Sequence, residues 1–253
     1  PPTMDPPPKG KTGRGILFDM RDYVEDAISL YKALTGVALR KVRTPFCPDG
    51  SLVHADECTR GELSSMACRV LMKDLWAARL ARPDFQKPIC DLASKVQCWS
   101  RNDDKRLHRL MCYMESSKKQ CLIGKVYDKP EDLKLLLFVD ADFAGEPDST
   151  RSTSGGILIL AGPNTWFPLA WLSKKQTATS RSTTEAEVAS VAASLFSEAL
   201  PTLELWNLLL GREVTLYILE DNQATIRVLR KGYSSKLRHI SRTHKIDLGS
   251  ISE

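Results

Sequence analysis

The sequence predicts an α/β protein: a mixed sheet flanked by helices, preceded by a smaller, mostly helical segment. Three observations carry that prediction. Near Lys134 the texture changes from helical spacing to short apolar runs bounded by Gly and Pro. Beyond that point the order is strand, strand, strand, helix, strand, helix, the pattern of helices packed on a mixed sheet. All seven cysteines lie between Cys47 and Cys121, so the two halves differ in chemistry as well as in pattern.

A chain of 253 residues holds one large domain or two smaller ones. The net charge of +5 tilts toward an anionic partner. An odd cysteine count, no CxxC pair and no signal peptide predict a reducing, intracellular setting, cytoplasmic or nuclear, with free thiols. No apolar run approaches the roughly 18 residues a membrane span needs, so no membrane partner is expected.

Residues 1–15, rich in Pro, Gly and Lys, read as a mobile linker. The "GKT" at 10–12 matches the end of a phosphate loop. Asp5 occupies the place of that loop's first glycine and no strand precedes it, so a basic linker is the better reading. Residues 16–129 form the helical segment. "DYVEDAISLYKAL" has weak helical periodicity. "ELSSMACRVLMKDLWAARL" spaces its apolar residues by three and four until Pro83 breaks the run. "PICDLASKVQCW" resumes it, and "DDKRLHRLMCYMESS" opens with acids suited to a helix N-terminus.

The second domain spans 130–253. "KLLLFVD", "GGILILAG", "TWFPLAWLS" and "VTLYILED" are strands. "STTEAEVASVAASLFSEAL" is a helix with Ser182 or Thr183 as its cap. Pro201 interrupts it, and "TLELWNLLLG" continues to a glycine stop. "NQATIRVLRKG" is the last long helix.

Carboxylates sit at the ends of these elements. Asp140 follows the last apolar residue of the first strand, and Asp142 comes two residues later. Glu185 and Glu187 lie near the start of the long helix. Asp221 ends the fourth strand, and Asp247 follows "RTHKI". Singly, each reads as a turn or dipole-complementing residue. Gathered together, they would repel unless divalent cations lay between them, and oxygen ligands suit Mg2+ or Mn2+. Two such ions clamp both sides of an in-line phosphodiester displacement. Asp142 is read as a turn or outer carboxylate, its spacing taken to send it to the opposite face if the strand continued.

The words around these acids carry a resemblance. "VDADFAGEPDSTRSTSGGILIL", "AWLSKKQTATSRSTTEAEVAS" and "YILEDNQATIRVL" closely resemble the ribonuclease H domain of copia-type retrotransposon polyproteins, and "SRTHKIDL" resembles its final motif more loosely. The resemblance covers about 133 to 250. Upstream, residues 75–117 resemble the segment joining reverse transcriptase to that domain, so the chain looks like the tail of such a polyprotein. The resemblance implies a ribonuclease H-like fold, two Mg2+ or Mn2+ ions and an RNA–DNA hybrid as substrate, with the rest of a Pol polyprotein as partner. It implies metal-binding roles for Asp140, Glu187, Asp221 and Asp247, with Glu185 as runner-up to Glu187. Glu220 departs from the pattern, which has a small or thiol residue there; on a strand it is expected to point away.

Lys174 and Lys175 either hold a phosphate backbone or end a strand in solvent; Gln176 belongs to the same word. Asn222 and Gln223 either touch sugar hydroxyls or cap a helix. Thr153 and Ser154 read as loop hydrogen bonders. "RVLRKGYSSKLRHISRTHK" carries seven Arg and Lys, Arg242 among them, and no acid; it is read as contacting the substrate strand. His244 reads as a surface histidine or an aid to product release. Cys47, His54, Cys58 and Cys68 lack the spacing of a zinc finger and read as buried free thiols with a histidine. Three rival functions stand beside the nuclease: a decayed nucleic-acid-binding fragment, a transposase or integrase, and a pure interaction module. The second rival needs a late Glu, whereas Glu187 comes second among the acids.

Overall fold

The computed structural model describes residue 10, residues 13–145 and residues 150–252. Most of the linker reading for 1–15, the "GKT" at 11–12 and residues 146–149 of the first motif lie outside the described residues. The chain divides into two compact units, formed chiefly by residues 16–123 and 124–253.

The first unit follows the strand β1 (Arg14–Phe18) with helices α1 (Arg21–Thr35), α2 (His54–Glu57), α3 (Ala67–Leu80), α4 (Gln86–Ala93) and α5 (Arg101–Ser117). α1 stops at Gly36, whose positive φ of 64° is the left-handed turn glycine adopts without strain. α5 starts at a capping box: Ser100 accepts from the Asp103 amide while the Asp103 carboxylate accepts from the Ser100 amide. The apolar faces of α1, α3, α4 and α5 meet in a core that includes Ile28, Tyr31, Leu71, Phe85, Leu107 and Met111.

The six-stranded sheet has the order β1-β2-β5-β4-β3-β6, with β2 at Leu122–Val126, β3 at Lys134–Asp142, β4 at Thr153–Ala161, β5 at Trp166–Lys175 and β6 at Leu216–Leu219. β3, β4 and β5 form an antiparallel meander, and β6 lies parallel to β3. The sheet is therefore mixed, as the element order predicts. Helices α6 (Thr183–Ser194) and α7 (Leu200–Leu210) make the crossover to β6, and α8 (Gln223–Lys231), α9 (Ile240–Thr243) and α10 (Gly249–Ser252) follow.

β3 alternates cleanly. Leu135, Leu137, Val139 and Ala141 are buried, while Phe138, Asp140 and Asp142 are exposed. The buried set packs with Leu158, Leu160, Val191 and Leu195, each fully buried leucine contributing about 2 kcal/mol. α6 turns the small side chains of Ser190 and Ser194 to β3 and β4, and these let it lie close to the sheet. The approach is tightest at Gly156, where an added Cβ would collide with the Ser194 hydroxyl.

Pro201 does not interrupt the helix as expected. Residues 183–210 run on through a π-helical stretch at Leu195–Ala199, and Pro201 sits in the first turn of α7. The π stretch places Pro201 in the first turn of α7, where its missing donor is tolerated. The joined helix is long and apolar enough to cross a membrane by length and composition. The expectation that no apolar run reaches that length depends on Pro201 breaking the helix, which it does not. α6, its first half, is the core helix of this unit.

Candidate metal centre

Three acids reach one point for separate reasons. Asp140 lies on the exposed face near the end of β3. The parallel register pairs Phe138 with Leu219 and, carried two residues on, sets Asp221 level with Asp140. Glu187 descends from α6, which Ser182 caps by accepting from the Glu185 amide. Ser190, one turn along α6, donates its hydroxyl to the Asp140 carbonyl at 2.6 Å and contacts the Gly155 carbonyl at 3.1 Å. That serine ties the helix to the two strands beside the acids, and no sequence signal singled it out. Ligand oxygens of Asp140, Glu187 and Asp221 all lie within 4.8 Å of one another, an acidic triad that could bind a metal.

Glu187 is only 4% exposed, and its buried Oε2 has no hydrogen-bond partner. Burial first, then the charges of Glu220, Asp140 and Asp221, push its pKa up to about 7, against a hydrogen bond from the Ala141 amide. Glu220 does not point away. β6 ends at Leu219, so strand alternation no longer governs it. Its Oε1 accepts from the Asn222 amide and its Oε2 is buried without a partner. Burial and the neighbouring carboxylates raise its pKa too. An orphaned buried oxygen beside three other carboxylates fits a hard divalent cation, Mg2+ or Mn2+, in both charge and donor type.

The other sequence-singled residues fall as follows. Asp247 is exposed, accepts from the Gly249 amide and is not part of the converging group. Asp142 shares the face of Asp140, contrary to expectation: β3 continues through it, and two residues are one full period of the pleat. Lys174 is exposed and Lys175 half-buried at the end of β5. Gln176 is turned inward, donating to the Ser154 hydroxyl and the Ala186 carbonyl. Asn222 caps α8, accepting from the Ala224 and Thr225 amides, and Gln223 beside it is exposed. Thr153 pairs with Lys175 across β4 and β5.

All seven basic residues from Arg227 to Lys245, Arg242 included, are exposed. His244 is not a surface residue: its side chain is 4% exposed and packs at 3.3 Å on the buried Glu185. Glu185 also meets His239 at 3.0 Å. The cysteines are free, but of the seven only Cys112 is buried, which corrects the buried-thiol expectation for Cys47, Cys58 and Cys68. Their positions track loops and outer helix faces rather than the core stripe. Among the described residues the acidic triad is the only group of three or more His, Cys, Asp or Glu that closes to ligand distance.

No family model matches the chain. It is 28% identical over 180 residues to the retrovirus-related Pol polyprotein from transposon RE1 of Arabidopsis thaliana, covering 70% of this chain and 11% of that protein. The corresponding RE2 polyprotein is 27% identical over 179 residues, covering 71% and 12%. This chain is homologous to part of a retrotransposon Pol polyprotein. It spans about a tenth of the length of those two relatives. It is also 34% identical over 108 residues to secreted RxLR effector protein 161 of Plasmopara viticola, covering 43% of this chain and 71% of that protein, and the two belong to one family.

Proposed function

We propose that this retroelement-derived chain is a metal-dependent ribonuclease H-type endonuclease that hydrolyses the RNA strand of an RNA–DNA hybrid. The observation that carries the reading is the convergence of Asp140, Glu187 and Asp221 at the end of β3 in a mixed sheet. Divalent ions bound there would generate the attacking hydroxide and stabilise the leaving oxygen. The chain's own residues do the rest. Asp140 presents a ligand oxygen from β3, and Asp221 another from just beyond the end of the adjacent parallel strand β6. Glu187 supplies a third from a helix pinned by Ser190. The exposed basic run from Arg227 to Lys245 holds the phosphate backbone. Asp247 would serve a second ion only if α10 and its preceding turn swung toward the triad. The remainder of a Pol polyprotein is the proposed partner in the cell.

A non-cleaving, nucleic-acid-binding fragment is the second reading, favoured by Asp247 lying outside the group. A hybrid with labelled RNA separates the two. Wild-type chain with Mg2+ should cut the RNA strand, EDTA should stop it, and Asp140→Asn should bind the hybrid without cutting. Mg2+-independent cleavage, or cleavage by Asp140→Asn equal to wild type, would sink the nuclease reading.

A further inference from the structure

Glu185 sits two residues before Glu187 on the same helix, yet it turns elsewhere. It is 1% exposed, and its Oε2 accepts from the Arg181 amide at 2.8 Å. Its Oε1 lies 3.0 Å from His239 Nε2 and 3.3 Å from His244 Nε2. Neither Glu185 Oε1 nor His239 Nε2 makes a hydrogen bond of good geometry, so these are close packing contacts between a buried carboxylate and two rings. The contacts extend inward. His244 Nε2 lies 3.4 Å from the Ser180 hydroxyl, which donates to Gln176, which in turn donates to Ser154 and Ala186. One buried carboxylate thus anchors the 239–244 segment to α6, β4 and the end of β5.

This cluster is not a second metal site, because its three ligand atoms do not close to within 4.8 Å of one another as the acidic triad does. Its consequence appears one residue on. Lys245 has a positive φ of 59°, a left-handed conformation that a lysine adopts only when its surroundings impose it. Lys245 lines a cavity of about 270 Å³ together with Lys174, Lys175, Thr177, Ser154 and His244. Lys174, Lys245 and the Thr177 hydroxyl give the cavity a cationic side that suits a phosphate, beside an apolar side from Ala189, Ala192, Ala193 and Phe196.

We propose that Glu185 is a positioning residue: through His239 and His244 it fixes the 239–246 segment so that Lys245 joins Lys174 at a cavity that takes one backbone phosphate of the nucleic acid. The phosphate assignment rests on the hybrid-binding reading above; the clamp itself does not. It also separates the paired glutamates of "TEAE": Glu187 faces the metal, and Glu185 faces the substrate-holding segment.

The test compares wild type, Glu185→Gln, His239→Gln/His244→Gln and Lys245→Ala, each confirmed folded by circular dichroism. Hydrogen exchange of residues 237–248, hybrid binding in EDTA across a KCl series, and Mn2+ binding are measured. Glu185→Gln and the double histidine variant should quicken exchange in that segment at least about tenfold. They should weaken hybrid binding several-fold and lower the slope of log affinity against log salt by about 0.9, one phosphate contact. Mn2+ affinity should stay within about twofold. Lys245→Ala should reproduce the binding and slope changes without the exchange change. Loss of Mn2+ binding in Glu185→Gln, or unchanged exchange, overturns the clamp. Quickened exchange with a wild-type chain that binds no hybrid overturns the phosphate assignment and the nuclease reading together, leaving the clamp.

Discussion

Replacing Glu187 with glutamine should stabilise the protein at alkaline pH while abolishing its metal site. Glu187 titrates near pH 7 in the fold against 4.5 in an unstructured chain. Each tenfold change in proton affinity is worth about 1.4 kcal/mol, so the shift amounts to about 3 kcal/mol. The sign follows from a raised folded pKa. Below pH 4.5 both states hold the proton and the residue exacts no penalty. As pH rises through 7 the fold must bear a buried anion facing Glu220, Asp140 and Asp221, and the stability is lost. Glutamine is uncharged, nearly isosteric and still able to accept from the Ala141 amide. Urea denaturation of the second unit without divalent ions should show Glu187→Gln more stable than wild type by about 3 kcal/mol at pH 8.5. The two should converge near pH 4. Millimolar Mg2+ at pH 8.5 should raise the stability of wild type and leave the variant unchanged. A variant less stable than wild type at pH 8.5 would refute the claim that these carboxylates repel one another.

Asp74, fully buried on α3 with neither oxygen partnered, has its pKa pushed up to about 8 by burial. Its contribution is intact below pH 4 and lost as pH rises through 8, so Asp74→Asn should stabilise the first unit by on the order of 5 kcal/mol at pH 9 and scarcely at pH 4, read by thermal melts. Ser190→Ala removes the bonds from α6 to the Asp140 and Gly155 carbonyls; it should cost about 1 kcal/mol in denaturation and slow Mg2+-dependent cleavage more than it weakens hybrid binding. Gly156→Ala drives a Cβ into Ser194 and should cost about 2 kcal/mol, with strong coupling to Ser194→Gly in a double-mutant cycle.

Much of the second unit was legible in the sequence. Alternation in "KLLLFVD", the Ser182 cap and the Gly211 stop each have a local physical cause, and the elements follow them. The placing of Asp140 and Asp221 at strand ends was legible too, since both follow apolar runs of strand length; that the two strands are neighbours was not. What escaped was three-dimensional. Pro201 looks like a breaker until a π turn absorbs it. Glu220 looks outward-facing only if the strand reaches it, and β6 stops one residue short. The pairing of Glu185 with His239 and His244 joins residues more than fifty apart, which no periodicity encodes. The placement of Asp142 beside Asp140 follows from the period of two, because β3 runs on through it.

Diffraction from crystals of the chain soaked in Mn2+ tests the central claim most directly. Anomalous signal should appear between Asp140, Glu187 and Asp221 in wild type and vanish in Asp140→Asn crystals grown in the same form. A wild-type map without signal there, at Mn2+ concentrations that support hybrid cleavage, would show that these carboxylates do not gather the ions on which the account depends.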